Sequence, residues 1–181
     1  MPHPRIVELL KHLDTHDAEF RKAYESVPKD RRNVKPAPDR WSPANVVEHV
    51  AIVNGRVAGR FAKQIAEARA AGHAAESATD PILPTIDLAR VLDRRPESRV
   101  QAPDPIKPTG LDADAAWTAL EQSSAALREA LASGDGLALG TLTAPHPLFG
   151  PLSIYQWAAF VGAHQSRHAA QLVEIARDRE S

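Results

Sequence analysis

The chain contains no cysteine. That absence removes disulfides, thiolate nucleophiles and cysteine-based zinc sites together. Any metal ion must then be held by histidine, aspartate or glutamate. A charge of one sign is also missing: 22 Lys and Arg stand against 23 Asp and Glu, a formal net charge of −1. Without a basic excess there is no general electrostatic grip on nucleic acid, and no such partner is expected. No apolar run approaches the roughly 20 residues that span a bilayer, so no membrane partner is expected either. The opening stretch MPHPRIVELLKHLDTHDAEF is cut by His, Lys and Asp and does not read as a secretory signal. A cytoplasmic location is the resulting expectation. Long strand-period segments and internal repeats are lacking as well.

What is present is helical periodicity over a length of 181 residues, which suits one domain, 1–181, with a sizeable core. A first helix reads over about 4–26, with Ile6, Leu9, Leu13, Phe20 and Tyr24 on one side. A second begins at WSPANVVEHV, with Ser42 as N-cap and Pro43 as first helical residue, and runs to about Gly72. A third spans about Asp112–Ser133 and a fourth Ser153 to about Asp178. Prolines forbid a long helix in 73–110, although DLARVLDR suits a short one. Four amphipathic helices imply an all-α four-helix bundle, with the long second connection packed on it or covering one end.

There are eight histidines. His164 and His168 lie four apart in FVGAHQSRHAAQL, within about 20° of the centre of the stripe formed by Ile154, Trp157, Val161, Leu172 and Ile175. Such neighbours have Cβ atoms about 5–6 Å apart, and bonds of about 2.0–2.1 Å let both imidazoles share one ion. The spacing alone is weak, since about 0.3 such pairs arise by chance. The inward direction is the stronger signal, because buried imidazoles need partners for every nitrogen. His49, flanking the Val46, Val53 and Val57 stripe, is the best third ligand. Asn45 and Arg56 share its side: Asn45 could orient a ligand or simply be polar, and Arg56 could meet a substrate carboxylate or an acidic side chain. Glu48 is expected to be solvated. His12 and His16 read as a polar boundary, and His146, His73 and His3 as surface. Asp14 and Asp17 are weak candidates for a general base.

The segments HPLFGPLSIYQWAAFVGAHQSRHAAQL and WSPANVVEHV resemble the signature segments of the DinB/YfiT-like superfamily. The resemblance covers nearly the whole chain. It implies a four-helix bundle with long crossover connections, often a homodimer, and a divalent metal on His49, His164 and His168. Zinc or nickel is implied first, iron or manganese second. Gln171 matches the glutamine after the histidine pair, and Trp41 the tryptophan before the second helix. Asn45, Arg56, Trp157 and Gln171 are the residues expected to line the pocket or orient ligands. Relatives imply a small-molecule substrate and a low-molecular-weight thiol cosubstrate, so transferase or isomerase chemistry is one reading and metal-dependent hydrolase chemistry another. A non-catalytic metal-binding stress or interaction protein is the alternative.

Overall fold

A computed structural model of the chain describes residues 1–95 and 101–177. The helices are α1 (Pro4–Glu25), α2 (Pro43–Ala70), α3 (Leu88–Leu92), α4 (Ala113–Ser133) and α5 (Ile154–Arg177). The expected end of the last helix, Asp178, lies outside the described residues. Ser42 and Asn45 cap α2 reciprocally: the Ser42 hydroxyl accepts from Asn45 N at 3.1 Å, and Asn45 Oδ1 accepts from Ser42 N at 3.2 Å. Ser153 and Gln156 repeat this at α5, at 3.2 and 3.1 Å. Gly72, with φ +67°, follows the end of α2 and stops it two residues after Ala70. The loop expected after α4 holds a small antiparallel hairpin, β1 (Thr143–His146) with β2 (Gly150–Ser153), pairing His146 with Gly150. Its four-residue strands are too short to give a readable alternation.

Two apolar clusters make the core. One gathers Leu9 and Leu13, Val57 and Phe61, Leu127 and Leu131, and Trp157 and Val161. The other gathers Phe20 and Tyr24, Val46 and Val50, Ala116 and Leu120, and Leu172 and Ile175. Each long helix thus crosses from one cluster to the other. The order in which they do so sets α1 and α5 running one way and α2 and α4 the opposite way. α1 packs chiefly on α5 and α2 on α4, and α2 also meets α5. Because α2 and α4 run the same way, the connection between them, described over 71–95 and 101–112, returns along the bundle. That crossover carries α3 against α5, and Ile82 N and Leu83 N donate to the Glu8 carboxylate of α1 at 2.8 and 3.1 Å. Among the described residues, no helix is long and apolar enough to cross a membrane.

α1 and α5 approach each other closely at Gly162. A Cβ there would stand 2.5 Å from His12 Cδ2 and 2.9 Å from His16 Cδ2. The His12 ring cannot swing away freely, because its Nε2 lies 2.9 Å from the Ala159 carbonyl. The Gly162→Ala variant should therefore lose about 1–3 kcal/mol in urea unfolding. The helical Gly55, whose added Cβ would have only Ser123 Cβ at 3.8 Å, is the control: Gly55→Ala should be neutral or gain up to about 1 kcal/mol from helix propensity.

Candidate metal centre

The three inward imidazoles meet on the seam of α2 and α5. His49 Nε2 and His168 Nε2 stand 3.3 and 3.2 Å from His164 Nε2. The ligand atoms of the three lie within 4.8 Å of one another, and among the described residues this is the only such group of His, Asp and Glu. His49 and His168 are buried and His164 is half-buried. The wheel geometry is the cause: one turn of α5 stacks His164 on His168, and His49 faces them from α2.

Partners on the far side of the rings decide where the protons sit. His49 Nδ1 is 2.7 Å from the Ile106 carbonyl, which only accepts, so the proton is on Nδ1 and the lone pair on Nε2. Gln171 Oε1, 2.8 Å from His168 Nδ1, sets His168 the same way. Two lone pairs then face His164 Nε2, which has at most one proton to give. His164 Nδ1 is buried without a partner. Hydrogen bonds alone cannot satisfy this set, whereas a cation where the Nε2 atoms converge takes all three lone pairs. Burial lowers the pKa of all three, His168 to about 3, with the other imidazoles adding to the effect at His164 and His168. The rings are therefore neutral near pH 7, the form that binds metal.

The crossover holds His49 in place. Glu48, expected to be solvated, is buried, at 2% exposure. Its Oε1 accepts from Thr109 N and Thr109 Oγ1, both at 2.6 Å, and its Oε2 from Gly110 N and Leu111 N, both at 3.0 Å. These four bonds hold its pKa below the ordinary carboxylate value against its own burial. Gly110, with φ +104°, bends the segment around the carboxylate. Glu48 thereby fixes the segment whose Ile106 carbonyl orients His49.

The other expected site residues separate. Gln171 joins the centre, while Asn45 is committed to the cap of α2. Arg56 is exposed and donates to the Pro105 carbonyl at 3.4 Å. Trp157 is buried one step away, its indole N–H donating to the Ala144 carbonyl at 3.1 Å and its ring 5.6 Å from Phe160, which in turn lies 5.5 Å from His164. Trp41 packs on His49 with centroids 4.9 Å apart. Asp14 and Asp17 are not at the imidazoles: both pair with Arg128 of α4, and Asp17 also accepts from Gln165. His146 is not a surface residue but 8% exposed, packed on Phe149, Trp157 and Phe160. His73 is partly buried against Thr141 Oγ1 at 2.9 Å, and His3 caps α1 through its Nδ1. His12 and His16 stay at the boundary between α1 and α5, partly buried.

A family model described as the DinB superfamily matches residues 12–172. No curated protein and no solved structure matches the chain.

Two outcomes follow from this geometry. Glu48→Gln turns one acceptor into a donor facing backbone N–H groups and should weaken zinc binding about 10–100-fold in a chelator competition; an unchanged affinity would remove Glu48 from the centre. Separately, burial holds His12, His49, His146, His164 and His168 below the ordinary value of 6.5, His146 at about 4. The folded chain then binds fewer protons than the unfolded chain as pH falls below 6.5. Stability of the metal-free protein should drop by about 1.4 kcal/mol per pH unit for each such proton, levelling only below the folded values. Urea midpoints at about pH 7 and about pH 5 check this.

Proposed function

This chain belongs to the DinB superfamily, and on that premise we propose that it is a metal-dependent enzyme holding a zinc or nickel ion on His49, His164 and His168. Its chemistry, in this reading, is transfer of a low-molecular-weight thiol to a small electrophile. The observation that supports it most is the convergence of three Nε2 atoms with no fourth side-chain donor in the group among the described residues. Structural sites close with four protein ligands, whereas catalytic sites keep a position for a small molecule. Such an ion, when bound, supplies a Lewis acid that favours the thiolate form of a thiol.

The chain's own residues favour transfer over hydrolysis. The carboxylates closest to consideration as a base are engaged elsewhere: Asp14 and Asp17 with Arg128, and Glu48 with Thr109, Gly110 and Leu111. Ile106 and Gln171 direct the lone pairs of His49 and His168 toward His164. Trp41 and Phe160 pack on the rings of His49 and His164 and shield them from bulk water. In transfer to a chlorodinitrobenzene-type probe, the thiol sulfur forms a bond to the ring carbon, chloride leaves and the thiol proton goes to solvent.

Purified protein should carry about one zinc or nickel per chain, and the His164→Ala variant close to none, by elemental analysis. A panel of small thiols with the chloroaryl probe should show turnover that depends on the metal. Turnover of esters or amides without any thiol requirement would replace transfer with hydrolysis. Metal without turnover in either assay would favour the non-catalytic alternative.

A further inference from the structure

His146 sits in a box of three aromatic rings, 5.1 Å from Phe149, 4.9 Å from Trp157 and 4.4 Å from Phe160 by centroids. Two of those rings also carry a guanidinium. Arg60 lies over Trp157 at 4.9 Å and Arg90 over Phe149 at 5.1 Å. Among the described residues, neither arginine has a carboxylate partner, and Arg60 Nη1 is buried with no hydrogen bond at all. A buried guanidinium donor left unpaired is costly, and charged donors are rarely buried that way without a reason.

The imidazole adds a third donor. His146 Nδ1 accepts the Leu148 N–H at 3.1 Å, so the neutral ring carries its proton on Nε2. Burial first, and then the two arginines, keep the ring neutral at physiological pH. The charged groups acting on it are both cations. Arg60 also lines an open groove of about 600 Å³ between α2 and β1, together with Lys63, Gln64 and Glu67. The box is one ring from the candidate metal centre, because Phe160 touches both His146 and His164.

We propose that Arg60, Arg90 and His146 form a binding site for an oxyanion, a carboxylate or phosphate group carried by a small molecule. Guanidinium groups match the planar, two-oxygen geometry of such anions, and the aromatic faces hold the guanidiniums at low entropic cost. The site stands on its own geometry. Only the further statement, that the anion is the far end of the molecule whose reacting atom lies at the imidazoles, rests on the function proposed above. In that case the substrate class is narrowed to small anionic compounds.

The test titrates the full-length protein with succinate and, separately, with inorganic phosphate, following the Trp157 indole and His146 ring signals by NMR. At least one probe should bind saturably, and Arg60→Gln and Arg90→Gln should each weaken it about 10–100-fold. Arg90 is exposed, so Arg90→Gln keeps the test open if Arg60→Gln does not fold. Which probe binds more tightly separates carboxylate from phosphate. His164→Ala, which removes a proposed metal ligand, should leave anion binding intact, so this result is independent of the metal reading. No saturable shift with either probe, or equal binding by both arginine variants, overturns the proposal. So does binding that survives in the arginine variants but is lost in His164→Ala, since the anion would then sit at the imidazoles.

Discussion

The structure depends on a polar layer that crosses the bundle at mid-height. Between the two apolar clusters, α1 contributes the half-buried His16 and Asp17, α2 Asn54, α4 Ser124, and α5 His164, Gln165 and His168, and His49, from within the second cluster's stretch of α2, joins them across the seam. Each helix changes from apolar to polar and back at the same level. Burying such groups is unfavourable unless each finds a partner, so the layer fixes the register of all four long helices against one another. A slip of one turn would set imidazoles and carboxylates against Leu and Val. This is a specificity constraint that an all-apolar core of the same volume would not impose.

The direction of the helices then decides how the layer is completed. Parallel α2 and α4 require an end-to-end return, and the return path lies over the seam where the imidazoles meet. On the α5 side, Arg94 donates to the Arg167 carbonyl at 3.0 Å and pairs with Glu174, and Arg167 reaches back to the Val91 and Asp93 carbonyls. On the α2 side, Glu48 gathers the 109–111 backbone and Ile106 meets His49. One connection therefore serves both topology and chemistry. Its length, which would be a liability in a loop without contacts, is what brings a carbonyl to the outer nitrogen of a buried histidine.

The helices and the inward histidines could be read from the sequence because both follow from period. Ile6, Leu9, Leu13, Phe20 and Tyr24 are buried as their spacing requires, and the wheel places His164 and His168 on the stripe that meets α2. Gln171 was readable through the family resemblance, as the glutamine after the histidine pair. What period could not give was anything supplied by the crossover. Glu48 lies about 100° from His49 on its helix, on a flank that is solvent unless another segment covers it. Nothing in residues 73–110 announces that the Thr109–Leu111 backbone will do so. The Ile106 acceptor is a carbonyl and has no side-chain signature. His146 was misread for a related reason: a loop position says nothing about burial when the loop is a hairpin folded onto the aromatic rings of the following helix. For Asn45 the sequence left a ligand-orienting role and plain early-turn polarity both open, and its Oδ1 is taken by the cap of α2.

The distribution of satisfied and unsatisfied groups within the layer separates structure from chemistry. Toward α1 and α4 the polar groups close on each other: Asp17 takes Arg128 and Gln165, and Asn54 donates to Ser124 at 3.1 Å. Toward the α2–α5 seam they do not. His164 Nδ1 and Arg60 Nη1 are buried and unpartnered there, and the lone pairs of His49 and His168 compete for the single proton that His164 can give. If polarity were present only to set helix register, closure should be equally good on both sides, because each open donor or acceptor costs about 1–3 kcal/mol. Asn54 Oδ1 is also unpaired, so closure toward α4 is not perfect, but it involves one acceptor of an amide that already donates. At the seam the deficit involves several groups of complementary kind, lone pairs at the imidazoles and guanidinium donors one aromatic ring away. A cation and an anion are the ligands such deficits call for, and a small molecule bearing an anionic end beside a bound metal ion would answer both.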